Sequence, residues 1–131
     1  MKKANIFIDG SSRGNPGPAG VGIHIIAETE EFRIAKPIGT ATNNEAEYHA
    51  LIQALKEAKK RGFDELIIKT DSSLLVNQVI GNYRIKSKKI IPLYKQVIKQ
   101  LEKFKYQILL IPREDNKIAN NLAFNASATS E

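Results

Sequence analysis

Cysteine is absent from this chain of 131 residues, and histidine occurs only twice. Without cysteine there is no disulfide framework, no thiol nucleophile and no zinc site of the cysteine type. Long apolar runs are also missing, because the apolar stretch after the basic start ends within residues 4–9. That stretch is far too short for a signal-peptide core or a membrane span. We therefore expect a cytoplasmic protein with no membrane partner.

Acidic residues are fewer than basic ones, with 14 Asp and Glu against 20 Lys and Arg and a net charge of +6. This balance favours a polyanionic partner such as nucleic acid, although ordinary solubility charge explains it equally well. The length and the 42% of hydrophobic residues fit one packed domain. We place that domain at residues 1–126 and expect the small, polar tail at residues 127–131 to fray.

Hydrophobic periodicity predicts an antiparallel meander followed by a long helix. Residues 4–8 alternate as in a strand, which the turn-rich segment after Asp9 ends. Two further strands are predicted at residues 21–27 and 31–37. At residues 43–61 the spacing becomes helical.

The rest of the chain alternates strands with helices, which favours parallel pairing and an α/β fold. The predicted segments are a strand at residues 66–68, helices at 72–80 and around 93–101, a strand at 106–111, and a last helix from about Asp115 to Ala126.

Two aspartates follow apolar strands of the predicted sheet. Asp9 and Asp71 each lie at the carboxyl end of a strand, where α/β folds place their ligands. If the two strands are neighbours, the carboxylates converge. Taken singly, Asp9 as a turn former and Asp71 as a strand-end cap are equally good interpretations.

A third carboxylate lies in the first turn of the long helix. The residues three, four and seven positions beyond Glu47 are apolar, so Glu47 lies on the inward face, where a charge must be compensated. Glu45 points elsewhere and is interpreted as a solvent-facing charge at the helix start. Three carboxylates with no cysteine and few histidines suit a hard cation such as Mg²⁺ or Mn²⁺.

Four motifs resemble those of the type-I branch of the ribonuclease H family, in the same order. They are DGSSRGNPGPAG at 9–20, TNNEAEY at 42–48, TDS at 70–72 and IPREDNKIAN at 111–120, followed by Leu122 and Ala123. The resemblance covers essentially the whole chain. It implies a ribonuclease H-like α/β fold, with a five-stranded mixed sheet in the order 3-2-1-4-5 flanked by helices.

The resemblance also implies the catalytic and metal-binding residues. Asp9, Glu47 and Asp71 match three of the family's four catalytic carboxylates, and Asn120 stands where the family has a fourth, an aspartate. Asn120 keeps a carbonyl ligand but removes a negative charge. We therefore expect a two-metal site for Mg²⁺ or Mn²⁺ whose water-activating half is weakened. Asp115 is five residues, about 7.5 Å, away along a helix, and we interpret it as an N-cap.

Substrate contacts are implied in the same way. Asn15, Thr42 and Asn43 match family residues that form a pocket for a phosphate of the DNA strand. Asn44 and the backbone of the glycine-rich turn match family residues that contact the RNA strand. Many relatives carry a histidine in the loop before the last motif, and this chain has none after His49. The residues expected to contact substrate are Gly10, Ser11, Asn15, Thr42, Asn43, Asn44, Ser72, Arg84, Lys86, Lys88 and Lys89.

The leading functional prediction is an endonuclease that cuts the RNA strand of RNA–DNA hybrids. Asn120 supports a rival, a catalytically inactive module of the same fold that binds nucleic acid. A third hypothesis is a protein-interaction domain whose acids are merely solvated. Under the leading prediction the partner is the hybrid, read by groove shape and the 2′-hydroxyl, and the protein is a monomer without an obligate protein partner.

Overall fold

A computed structural model describes residues 2–130, and Met1 and Glu131 lie outside the described residues. The strands are β1 (Lys3–Ser12), β2 (Gly17–Ala27), β3 (Glu31–Ala41), β4 (Glu65–Thr70) and β5 (Lys105–Leu110). The helices are α1 (Asn43–Lys60), α2 (Ser73–Val79), α3 (Ile90–Leu101) and α4 (Lys117–Ser127), with a 3₁₀ turn at Arg113–Asp115. No helix within residues 2–130 is both long enough and apolar enough to cross a membrane.

The five strands form one mixed sheet in the order β3-β2-β1-β4-β5, which confirms the predicted fold. β1, β2 and β3 pair antiparallel, while β4 pairs parallel with β1 and with β5. The parallel pairs arise because a helix carries the chain back between the strands. As a result, β1 and β4 end at the same edge of the sheet.

Two glycines show how closely the helices cover the sheet. A Cβ atom on Gly10 would lie 2.1 Å from the backbone carbonyl carbon of Ala46 in α1. A Cβ atom on Gly22, the partner of Asp9 in β2, would lie 2.2 Å from the carbonyl oxygen of Ala119 in α4. Since neighbouring residues of a strand face opposite sides, α1 covers one face of the sheet and α4 covers the other.

The glycine-rich segment at residues 10–20 is largely strand, so its prediction as a turn was wrong. β1 continues to Ser12 and β2 begins at Gly17, which leaves only residues 13–16 as a loop. The sequence pattern misled because Gly10 and Gly20 are required by the close approach of α1 and α4, whereas glycine usually indicates a turn. β3 also continues past Pro37, because an edge strand tolerates a proline that lacks an N–H donor.

The carboxyl-terminal tail is packed against the sheet, which corrects the expectation that residues 127–130 fray. Ser127 belongs to α4 and is fully buried, and Ser130 is 7% exposed. The backbone N–H of Gly39 donates to Ser130 Oγ, which donates in turn to the Gly39 carbonyl at 3.1 Å. Small side chains let the tail approach β3 closely, and these hydrogen bonds offset the cost of ordering it.

Candidate active site

Three carboxylates from three different elements meet at the edge of the sheet where β1 and β4 end. One oxygen of each of Asp9, Glu47 and Asp71 lies within 4.8 Å of the others. With Gly10, Ser11, Asn43 and Arg113 they line a hollow of about 380 Å³. A larger hollow of about 720 Å³, near the start of β1, lies far from this cluster along the strand.

The local structure explains why these three side chains converge. Asp9 lies on the central strand β1, and Asp71 follows the last residue of the parallel neighbour β4. Glu47 is the fifth residue of α1, held over β1 by a 2.7 Å hydrogen bond from the Gly10 backbone N–H to Glu47 Oε1. Glu45 does not join the cluster.

Burial makes the negative charge of the cluster costly. Desolvation, reinforced by the charge of Asp71, raises the pKa of Asp9 from 3.8 to about 7. Desolvation and then the charge of Asp9 hold the pKa of Glu47 well above its ordinary value. Arg113 and the Gly10 backbone N–H lower both pKa values without cancelling the rise.

The cluster fits a hard divalent cation. Six oxygens around Mg²⁺ lie at about 2.1 Å from the ion and therefore at most about 4.2 Å apart, so 4.8 Å requires only a small adjustment. Asp71 Oδ2 is enclosed and accepts no hydrogen bond from any residue in the range 2–130. A buried anionic oxygen without a donor is a favourable ligand for a cation.

Arg113 is a candidate functional residue that the sequence interpretation missed. It begins the 3₁₀ turn after β5 and lines the same hollow as the carboxylates. The available signal was a single cation directly after the last strand, inside the motif at residues 111–120.

Asn120 lies on α4, next to the residue that contacts Gly22. Its Oδ1 atom is enclosed and has no hydrogen-bond partner within the described chain. Asn120 and Arg113 both line a neighbouring hollow of about 410 Å³. Because Gly22 pairs with Asp9, α4 carries Asn120 past the face of β1 that bears Asp9.

Asn116, rather than Asp115, occupies the N-cap position of α4, so the assignment of Asp115 was wrong. Asp115 is exposed and ends the preceding 3₁₀ turn. Asn116 is 1% exposed, and its Nδ2 atom donates to the carbonyl of Ile8, one residue before Asp9, at 2.9 Å. The amide thus fixes the start of α4 to the strand that carries Asp9.

Three of the expected phosphate-binding residues lie together at the start of α1. Asn15 Oδ1 accepts the Asn43 backbone N–H at 2.9 Å, and Asn43 Oδ1 accepts the Ser12 backbone N–H at 3.1 Å. Thr42 is the N-cap and forms a capping box with Glu45, whose carboxylate accepts the Thr42 backbone N–H at 2.9 Å. Glu45 therefore has a structural partner, and it is not a free surface charge.

The remaining expected contacts differ in their surroundings. Asn44 is half-buried, with an Oδ1 atom that has no partner among residues 2–130. Ser72 caps α2 by accepting the Leu75 backbone N–H at 3.2 Å. The four basic residues between α2 and α3 are exposed and do not line the carboxylate hollow: Arg84, Lys86, Lys88 and Lys89.

Comparison with known proteins gives concordant matches in sequence and in structure. Residues 7–126 match the family model described as "Reverse transcriptase-like". The "Bifunctional protein Rv2228c" of Mycobacterium tuberculosis is 38% identical over 130 residues. The match covers 95% of this chain but 35% of that relative, so the chain spans about a third of the relative's length.

Two solved structures have the same fold over nearly their whole length. The crystal structure of RNase H1 from Halobacterium salinarum has a TM-score of 0.93 and 34% identity, covering 98% of this chain and 99% of that one. LC11-RNase H1, solved in complex with an RNA/DNA hybrid, has a TM-score of 0.89 and 33% identity, covering 95% of this chain and 96% of that one.

Proposed function

Because the chain belongs to the ribonuclease H family, we propose that it is a metal-dependent endonuclease that hydrolyses the RNA strand of RNA–DNA hybrids. The observation that carries the proposal is the convergence of Asp9, Glu47 and Asp71 within 4.8 Å. The structural likeness to a relative solved with an RNA/DNA hybrid supports the choice of substrate.

The proposed reaction breaks the bond between phosphorus and the 3′-oxygen. Water attacks phosphorus, and the products are a 5′-phosphate and a 3′-hydroxyl that takes up a proton. Asp9, Glu47 and Asp71 hold Mg²⁺ or Mn²⁺, which when bound supplies Lewis-acid stabilisation of the developing negative charge. The exposed Arg113 guanidinium contacts the scissile phosphate and restrains the pKa rise of the neighbouring acids.

The start of α1 supplies the contact with the DNA strand. Asn15 and Asn43 use their Oδ1 atoms on backbone N–H groups, which leaves their amide nitrogens free to donate to a phosphate. The start of α1 adds a favourable helix dipole. The exposed basic residues before α3 add salt-sensitive affinity, while Asn44 and the backbone around Gly10 and Ser11 face the RNA strand.

Asn120 supports a second candidate, a module that binds hybrids without cutting them. A neutral amide in place of a carboxylate leaves one fewer negative charge to hold a second cation. The three remaining acids lie close enough together to hold one cation. The two candidates therefore share hybrid binding and differ only in turnover.

The proposal is tested by incubating a labelled blunt hybrid with the parent protein, Asn120→Asp and Asp71→Asn in Mg²⁺ and in Mn²⁺. Binding is measured in parallel in EDTA, with duplex DNA of the same sequence as the competitor. Cleavage by the parent and its loss in Asp71→Asn support the enzyme. Cleavage by Asn120→Asp alone supports the inactive module. If no protein cuts or prefers the hybrid, both candidates are wrong.

We also propose that the chain acts as a cytoplasmic monomer formed by one domain at residues 1–126, with the packed tail attached to it. Its positive charge favours nucleic acid as the partner. Size-exclusion chromatography with light scattering, with and without hybrid, tests the oligomeric state. A mass of two copies in the absence of hybrid would contradict the monomer.

A further inference from the structure

A cleft lies between the carboxyl-terminal ends of α1 and α3, on the face of the sheet that α1 covers. Its volume is about 290 Å³. We call it the lysine cleft, and its lining residues are Leu55, Lys56, Lys59, Lys60, Gln100, Lys103 and Phe104. Along α1, Lys59 lies twelve residues beyond Glu47, a rise of about 18 Å. The cleft is therefore separate from the carboxylate cluster.

The charge of the lysine cleft is of one sign. Four lysines line it, and the Lys59 ammonium lies close enough to Lys103 to lower the pKa of Lys103. No carboxylate belongs to the lining of this described cleft. The nearby Glu57 is engaged with Arg61 at 3.1 Å. The lining of the cleft therefore presents exposed positive charge with no carboxylate to pair with it.

The floor of the lysine cleft is suited to a ligand rather than to bulk solvent alone. Phe104 is half-buried and presents apolar surface to the cleft, while Leu55, which is 1% exposed, lies beneath its floor. Gln100 also lines the cleft, and its Nε2 amide can donate a hydrogen bond to an anion. A concave site with an apolar floor and a few convergent polar groups is the usual form of a small-ligand pocket.

We propose that the lysine cleft binds a phosphate group, as a second anion site separate from the phosphate contacts proposed at the start of α1. Lysine ammonium groups are compact cations that bind phosphate as point charges. An anion between Lys59 and Lys103 converts their repulsion into two attractive contacts. The phosphate belongs either to a nucleic-acid strand that extends beyond the hybrid or to free phosphate and nucleotides.

The first test is a titration with inorganic phosphate, followed by ¹⁵N NMR in EDTA at constant ionic strength with chloride as the reference. The backbone amide signals of residues 55–60 and 100–104 should shift and saturate. The double variant Lys59→Gln with Lys103→Gln should bind phosphate about tenfold more weakly. The matched control, Lys3→Gln with Lys36→Gln, loses the same charge elsewhere and should bind like the parent.

Stability distinguishes a ligand site from a structural one. Without phosphate the cleft variant should unfold at the same temperature as the parent or a higher one, because a repulsion has been removed. With phosphate the parent and the control should gain more stability than the cleft variant. Shifts that do not saturate, or equal binding by the cleft and control variants, would overturn the proposal.

A second experiment separates the two sources of the phosphate. Binding of a blunt hybrid is compared with that of a hybrid carrying a single-stranded extension, in EDTA. If the extension raises the affinity of the parent and the control but not that of the cleft variant, the strand is the source. If the extension adds nothing while inorganic phosphate saturates the cleft, free phosphate or a nucleotide is the source. If neither binds, there is no phosphate site.

Discussion

Replacing Asp9 by asparagine should stabilise the metal-free protein at neutral and alkaline pH. Asp9 is 8% exposed, and burial together with the charge of Asp71 raises its pKa from 3.8 to about 7. Asparagine keeps the size and shape of the side chain but removes the buried charge. The substitution therefore removes the desolvation penalty of a buried carboxylate, which lowers the stability of the metal-free protein.

The sign and the size of this effect follow from proton linkage. An acid with a raised folded-state pKa destabilises the fold progressively as the pH rises from the unfolded pKa to the folded pKa. A rise of the Asp9 pKa from 3.8 to about 7 corresponds to a loss of about 4 kcal/mol in the free energy of unfolding above pH 7. At pH 5 the pH lies only about one unit above the pKa of Asp9 in the unfolded state, so the loss in the free energy of unfolding is about 1.5 kcal/mol. The advantage of Asp9→Asn should widen between pH 5 and pH 8.

The assay is urea unfolding in EDTA at pH 5 and pH 8, with Asp115→Asn as the control because Asp115 is exposed. Saturating Mn²⁺ at pH 8 should stabilise the parent and leave Asp9→Asn nearly unchanged, since metal bound to the native state adds to its stability. If Asp9→Asn is less stable than the parent in EDTA at pH 8, or if the gap does not widen with pH, the electrostatic reasoning is refuted.

Three further substitutions test other parts of the structure. Gly22→Ala should lower the free energy of unfolding in urea by about 3 kcal/mol, since the added Cβ would lie 2.2 Å from the Ala119 carbonyl oxygen. An unchanged urea midpoint would contradict the close packing of α4 on β2. Thr42→Ala should lower the free energy of unfolding by about 1 kcal/mol and Thr42→Ser by much less, because serine can still accept the Glu45 backbone N–H. Equal losses in the two variants would show that the cap does not stabilise the helix. Arg113→Gln should lower hybrid cleavage at pH 7 on the order of tenfold and move the acidic limb of the pH–rate profile to higher pH, because Arg113 lowers the pKa of the acids; an unmoved limb would remove Arg113 from the site.

The fold was predictable because its elements have strong periodic patterns. The alternation in β1 and the helical spacing of α1 led to the right element types, and α1 begins at Asn43 as predicted. Adjacency of β1 and β4 came only from the family resemblance, since a single sequence holds no direct record of strand pairing. One error falls at Gly10 to Gly20, where close helix packing and turn formation select the same residue type.

The three acids of the site were predictable from position, while their surroundings were not. Strand ends and an inward helical face identified Asp9, Glu47 and Asp71 before their distances were known. Arg113 was missed because an arginine after an edge strand has no periodic signature. Ser130 was missed because hydrogen bonds to a distant backbone leave no trace in composition.

The first turn of α1 also makes the length of one short segment critical. Thr42 fixes where the helix begins, and Glu47 reaches the carboxylate cluster only at a set rotation from that point. One inserted residue between them would rotate Glu47 by about 100° and advance it by about 1.5 Å. The loop at residues 80–89 lies between two helices and does not set the rotation of any of the three clustered carboxylates. Insertions and deletions should therefore be lost from the segment between Thr42 and Glu47 and accepted in that loop when a library of length variants is selected for activity.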